Sequence, residues 1–254
     1  MRLDHYLVAT GQYESRHKAQ IEIKAGAITV NNHVVFKPAY QLKSEDDVQI
    51  IKTFNPFVSK GGLKLTHALE SFHFDVKGRT ICDVGASTGG FTDVLLKAGA
   101  HHVYAIDVGI NQLVEKIKNH PQVTSFEGLN FLNTHSTDFK PIDLIVMDVS
   151  FTSSIPLIHH AKTQFNSPII VLVKPQFESL DTPKSGVIKD KKMHLTVLRN
   201  YESKLATFHI PVETWCYSNI TGGSGNIEFF AYIDTKTHTQ DLRTLIEEAH
   251  QNLR

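Results

Sequence analysis

The stretch Asp83-Val84-Gly85-Ala86-Ser87-Thr88-Gly89-Gly90-Phe91-Thr92-Asp93 joins an apolar run, Thr80 to Val84, to an amphipathic one, Phe91 to Lys97. Glycines in such a turn let the backbone approach a ligand closely and deliver it to a helix N-terminus. The pattern reads as the first strand-turn-helix of a nucleotide-binding α/β domain. A second apolar run, His102 to Ile106, ends at Asp107, about 20 residues past the first glycine, where an acid grips ribose hydroxyls. The glycines Gly85, Gly89 and Gly90 do not form G-x-G-x-x-G, and an acid, Asp83, precedes them. An acid beside the loop suits the sulfonium and ammonium of S-adenosylmethionine and repels a pyrophosphate. A tight turn holding no ligand is the competing reading of this loop alone.

The 254 residues have room for one large domain and one small one. No apolar run approaches the roughly 18 residues of a membrane span. Asp4 and His5 occupy positions where a secretory leader needs its apolar core, so cytoplasmic residence is expected. Cys82 and Cys216 belong to no C-x-x-C pair, and the fifteen histidines show no zinc-binding spacing, so neither a disulfide framework nor a metal is expected. The 26 basic and 26 acidic residues balance, but residues 1–40 carry five cations against three acids, a surplus of two.

Residues 1–51 read as a small α-β unit. Leu3, Leu7 and Val8 space like a short helix, and Ser15 caps a second that ends at Gly26. Ala27 to Val30 and Val34 to Phe36 flank the turn pair Asn31-Asn32, and Val48 to Ile51 supplies a last strand. Arg16, Lys18 and Lys24 then share one helix, as an RNA-facing surface or as a solvated face. The motif Arg2-Leu3-Asp4, Ser15-Arg16-x-x-Ala19, Ala25-Gly26-x-x-x-Val30-Asn31 resembles the S4 RNA-binding domain, with Asn32 where that family usually has glycine. The resemblance implies docking onto structured RNA through the phosphate backbone.

A linker is expected over 52–58, followed by a domain over 59–254 that opens with a helix at Ser59-Lys60-Gly61-Gly62. Apolar strands and amphipathic helices then alternate: Thr80 to Val84, Phe91 to Lys97, His102 to Ile106, Gln112 to Lys118, Val123 to Phe126, Leu144 to Val149, Ile155 to Lys162 and Ile169 to Val173. Alternation of this kind predicts a parallel sheet covered on both faces. Val212 to Tyr217 and Ile227 to Ile233, joined by a glycine-rich turn, predict a closing antiparallel hairpin, and a charged helix is expected near Gln240 to Asn252. The segment 181–192 reads as a mobile connection without assigned chemistry.

Lys64, Asp148, Lys174 and Glu228 fall at element ends, where open α/β sheets bind ligands. A lone charge at the edge of a buried sheet costs several kcal/mol, so these four need partners or a function; for Lys64, an exposed helix position is the alternative. Their order resembles the Lys-Asp-Lys-Glu tetrad of FtsJ-type ribose 2′-O-methyltransferases. The strings Val58 through Leu65, Asp83 through Asp93, Asp107-Val108-Gly109-x-x-Gln112-Leu113, Asp148-Val149-Ser150-Phe151, Val173 through Glu178 and Gly225-Asn226-x-Glu228, with the S4-like start, resemble the TlyA (hemolysin A) family over nearly the whole chain. Departures are Lys60 where arginine is usual, Asn219 where proline is usual, and Leu129-Asn130-Phe131.

The resemblance implies an α/β, Rossmann-like class I methyltransferase fold, with a mostly parallel seven-stranded sheet and C-terminal hairpin, behind a small S4-like α+β domain. It implies methyl transfer from S-adenosyl-L-methionine to a ribose 2′-hydroxyl of ribosomal RNA, typically on cytidine, in free RNA or in ribosomal subunits. Lys64, Asp148, Lys174 and Glu228 are the implied catalytic set, with Lys174 as base, its pKa lowered by Lys64. Asp83, Gly85, Ser87, Thr88, Gly89, Gly90, Asp107 and Asp148 are the implied cofactor residues. Arg2, Arg16, Lys18, Lys24 and Lys60 are the implied RNA contacts. Phe177 stacks on an extruded base or fills the core. A membrane-lytic protein, which the hemolysin name suggests, an NAD-dependent oxidoreductase and a non-catalytic RNA-binding assembly factor are the rival functions.

Overall fold

Strand parity organises the larger part of the chain. In the computed structural model, which describes all residues except 32, 36, 51–56, 180, 236–239 and 254 and gives backbone alone at 21, 24, 25, 33 and 34, two bodies separate between Pro56 and Phe57. In the second body the strands are β4 (Thr80–Val84), β5 (His102–Asp107), β6 (Val123–Glu127), β7 (Leu144–Met147), β8 (Ile169–Val173), β9 (Thr214–Tyr217) and β10 (Phe229–Ile233). They form one sheet ordered β6-β5-β4-β7-β8-β10-β9, parallel except for β10, which is antiparallel to both neighbours.

Side chains alternate across this sheet, as the two-residue period requires. Cys82, Val84, Ile145, Met147, Val171 and Val173 enter one core, with Ile158, Leu198 and Leu245 from helices α6 (Ile155–Gln164), α8 (Lys191–Ala206) and α9 (Leu242–Leu253). Ile81, Leu144, Val146, Ile170 and Leu172 enter the other, with Leu65 and Leu95 from α3 (Lys60–Ser71) and α4 (Gly90–Lys97). Burial on both faces explains why β7 and β8 read as unbroken apolar runs. Strand order reverses between β4 and β7, which opens a crevice at their C-terminal ends.

Four stretches differ from the expectation. The helix expected from Gln112 shrinks to α5 (Glu115–Lys118), because Glu127 Oε1 accepts the Gln112 and Leu113 N–H groups and holds that backbone outside the helix. A four-residue helix, α7 (Pro175–Glu178), follows Lys174 directly. The sixteen-residue α8 has no counterpart among the expected elements, although its signals are ordinary ones: Asp190 caps the Lys192 and Met193 amides, and Val197, Leu198, Tyr201 and Leu205 are buried. Phe57 and Val58, expected in the linker, pack in this body, where Val58 N donates to Asp93 Oδ2 at 3.0 Å.

The first body comprises α1 (Leu3–Ala9), α2 (Arg16–Ala25), β1 (Ile28–Val30), β2 (His33–Val34) and β3 (Val48–Ile50), with β2 and β3 both antiparallel to β1. Ser15 Oγ accepts from Lys18 N at 3.2 Å, and Gly26 closes α2 in a left-handed conformation. Leu3, Leu7, Ala19, Ile23, Ile28 and Val30 form its core. Asn31 takes the positive φ expected of the hairpin; Asn32, Phe36, Ile51 and residues 52–56 lie outside the described residues.

Candidate functional site

At the end of β4 the chain turns with φ +82° at Gly85, whose N–H donates to Ile106 O at 2.8 Å. A Cβ there would lie 2.6 Å from Asp148 O, so glycine is required both by conformation and by the close approach of the β7 end. Asp107 closes the turn from the β5 side: its Oδ2 accepts from Ser87 N and its Oδ1 from Gly109 N, each at 2.7 Å. Beneath the turn, Asp83 is fully buried. Thr92 Oγ1 donates to its Oδ2 at 2.6 Å, while Oδ1 has no hydrogen-bond partner. Burial, reinforced by the charge of Asp148, pushes the Asp83 carboxyl up to about 7.

A cavity of about 580 Å³ opens beside this turn, lined by Gly85, Ser87, Asp107, Gln112, Asn130 and Asp148 among others. A smaller one of about 160 Å³ adjoins Ser59, Lys64, Gly85, Ser87, Thr88, Gly90, Asp148 and Lys174. Gly85, Ser87 and Asp148 belong to both. Of the residues expected to contact a cofactor, Asp83 and Gly89 line neither cavity. Asp83 supports the turn from below, and the space above Gly89 is taken by Leu113 and Ile117. Asn130 and Gln112 line the larger cavity, and neither is among the cofactor residues implied by the sequence; the signal for Asn130 is its place in Leu129-Asn130-Phe131, where the chain departs from the family pattern.

The four charged residues gather as two ion pairs. Lys64 Nζ donates to Glu228 Oε2 at 2.6 Å, with both side chains nearly inaccessible. Lys174 Nζ lies 2.6 Å from Asp148 Oδ1 in an ion-pair contact without hydrogen-bond geometry, and donates to Ser150 Oγ at 2.7 Å. Each lysine of the expected set thus has its own carboxylate partner. Lys64 is neutralised by Glu228, and the lysine it depresses is Lys60, one turn earlier on α3, which burial first and Lys64 second push down to about 8.

The loop after Asp148 is held from below by Glu178. Its carboxylate accepts Ser153 Oγ at 2.6 Å and both Ser154 N and Ser154 Oγ at 2.8 Å, and Ser154 Oγ meets Tyr201 Oη at 2.6 Å. On that loop Phe151 has φ +65° and is 91% exposed, with its ring centroid 5.3 Å from that of Phe177. A left-handed backbone costs a phenylalanine about 1–3 kcal/mol. Phe177 itself is half-buried and forms the other half of this aromatic pair.

Residues 57–235 match the FtsJ-like methyltransferase family, and residues 1–48 match the S4 domain. Hemolysin A of Brachyspira hyodysenteriae is 39% identical, over 91% of this chain and 99% of its own. This chain is a member of the TlyA (hemolysin A) family. Another relative, the 16S/23S rRNA (cytidine-2′-O)-methyltransferase TlyA of Mycobacterium tuberculosis, is 35% identical over 93% of this chain and 90% of its own. A solved hemolysin-named protein from Streptococcus thermophilus superposes with a TM-score of 0.76 at 32% identity, covering 99% of this chain and 96% of its own.

In the S4 domain of this TlyA-family chain, Asp4 organises the candidate RNA contacts. Fully buried, it accepts from Arg2 Nε and Nη2, each at 2.9 Å, from Gln20 Nε2 at 2.7 Å and from Arg16 Nη2 at 3.3 Å. The Arg2 bonds foremost hold the Asp4 carboxyl well below the usual carboxylate range. Lys18 pairs instead with Glu14, one turn away; the Lys24 side chain lies outside the described residues.

Proposed function

We propose that this protein transfers a methyl group from S-adenosylmethionine to the 2′-hydroxyl of a cytidine in cytoplasmic ribosomal RNA. The observation that carries the reading is the meeting of the Lys64–Glu228 and Lys174–Asp148 pairs beside the cavity under the Gly85 turn. The names of the TlyA relatives support the substrate, and the S4 domain supports a structured RNA.

The residues present fit the cofactor. Gly85, Ser87 and Asp148 line both adjoining cavities, and the Asp107 carboxylate is fixed on the lining of the larger one. Asp107, Gln112 and Asn130 would hold the nucleoside, and Ser87, Thr88 and Asp148 the amino-acid end. When bound, S-adenosylmethionine supplies an electrophilic methyl on a sulfonium.

The protein's task is to fix a ribose hydroxyl in line and take its proton. Lys174 Nζ is the acceptor, held by Ser150 Oγ and Asp148. Lys64, its charge balanced by Glu228, orients the ribose or a neighbouring phosphate. Phe151 and Phe177 offer π faces to an extruded base, and Arg2 and Arg16 dock the RNA backbone.

Among the described residues no helix is long and apolar enough to cross a membrane, and no feature of the site favours lysis. Mass-spectrometric mapping of ribosomal RNA from cells with and without the gene tests the proposal. A ribose-methylated cytidine absent from the deletion strain and restored by purified protein is expected; identical maps would refute it.

A further inference from the structure

The segment between α7 and α8 is tied down at both ends. Thr182 Oγ1 donates to Gln176 O at 2.9 Å, which anchors its start to the helix that follows Lys174. Near its far end it is bonded to the side chain of Asn226, which is 0% exposed. Asn226 Oδ1 accepts from Ile188 N at 2.9 Å, and Nδ2 donates to Gly186 O at 2.8 Å and to Ser224 Oγ at 3.0 Å. Ile188 is buried beneath this clamp.

Asn226 sits in the turn that wraps Glu228. Gly222 N donates to Asn226 O at 2.8 Å, and a Cβ at Gly222 would lie 2.3 Å from Glu228 Oε1. The segment therefore runs from the Lys174 side to the Glu228 side, across the adjacent ends of β8 and β10, where Val173 pairs with Phe229. Together with the first turn of α8 it carries Lys184, Lys189, Lys191 and Lys192, all exposed, against Asp181 and Asp190, a surplus of two positive charges over residues 181–192. The Asp190 carboxylate is engaged with the α8 N-terminus. Among the described residues no carboxylate lies within ion-pair contact of Lys184, Lys191 or Lys192, although the Lys192 charge is felt by Asp190.

We infer that this lysine-bearing strap is a phosphate-binding rim of the cleft, gripping the RNA backbone beside the target nucleotide, and that Asn226 holds it in register with Glu228. The inference rests on the proposed RNA methylation and adds a second RNA-binding surface to it.

The test uses the full chain and purified small and large ribosomal subunits from a strain lacking the gene. Affinity is measured across a salt series for wild type, for Lys184→Gln/Lys191→Gln/Lys192→Gln, and for Asn226→Asp, which keeps an acceptor for Ile188 N but loses the donor to Gly186 O. In the triple variant the slope of log affinity against log salt should fall by about 0.7–0.9 for each phosphate that is no longer neutralised. KM for subunits should rise with kcat and S-adenosylhomocysteine affinity unchanged. Asn226→Asp should lower the slope with every lysine in place, and adding the triple substitution should lower it little further. A wild-type slope in the triple variant overturns the rim, and a wild-type slope in Asn226→Asp overturns the role of Asn226. Absence of methyl transfer by the wild type, with the slope still falling in the triple variant, would sink the methylation reading and leave the rim standing.

Discussion

Replacing Asp83 by asparagine should make the methyltransferase domain less sensitive to alkaline pH. The Asp83 carboxyl is fully buried with one oxygen unpartnered, and burial pushes it up to about 7 from an ordinary 3.8. An acid whose folded pKa lies above its unfolded one binds its proton more tightly when folded. Its penalty on folding is therefore absent below pH 3.8, grows between 3.8 and 7, and is complete above 7. A gap of about three units at 1.36 kcal/mol each amounts to about 4 kcal/mol. Asparagine is isosteric, still accepts from Thr92 Oγ1, and is neutral throughout. The difference in unfolding free energy, Asp83→Asn minus wild type, should thus rise by roughly 3–4 kcal/mol between about pH 4.5 and pH 8. Urea titration followed by fluorescence suits the measurement, because the sole tryptophan, Trp215, is buried in this body and reports its unfolding alone. Groups common to both proteins cancel in the difference. A difference that stays flat within about 1 kcal/mol across that range would show that Asp83 ionises freely in the folded state.

Asp107→Ala removes the acceptor of two backbone amides at the cavity mouth. Calorimetry should show S-adenosylhomocysteine affinity reduced about tenfold or more, with subunit binding unchanged. Lys174→Ala should slow methyl transfer by a factor on the order of 100 or more while both ligands still bind, and Lys174→Arg should not restore it, because a guanidinium cannot accept a proton. Single-turnover rates decide this: recovery with arginine would make Lys174 an electrostatic rather than a proton-accepting group. Asp4→Asn removes a negative charge from the S4 domain yet frees Arg2 and Arg16 from their shared acceptor. Net charge alone predicts tighter subunit binding; the fixed-arginine reading predicts weaker binding and a smaller salt slope, on the order of one phosphate.

The features legible in the amino-acid order are those that near neighbours in the chain decide. Positive φ at Gly26 and Asn31, the Ser15 cap and the bounds of Thr80–Val84 and Ile169–Val173 depend on backbone sterics and on side-chain period within a few residues. Strand parity and alternation also predict the layered sheet and its closing hairpin, because burial on both faces leaves little freedom in order or hand. The glycine turn with Asp107 beyond it is legible for the same reason.

Partner choice is not legible. Four charges in a row of strand ends permit several pairings, and only the folded sheet brings Lys64 to Glu228, 164 residues away, and Lys174 to Asp148. The same long-range closure lets Glu127 truncate the helix expected from Gln112, seats Asp4 between two arginines, and turns Asn226 into a clamp. It also exposes Phe151 against its apolar character, since the loop that carries it is dictated by the Glu178 network rather than by its own preference. Hydrogen bonds and ion pairs between distant residues depend on distances of a few ångströms that no local pattern encodes. The electrostatics of the site, and with it the assignment of roles, therefore comes from the folding of distant segments onto one another.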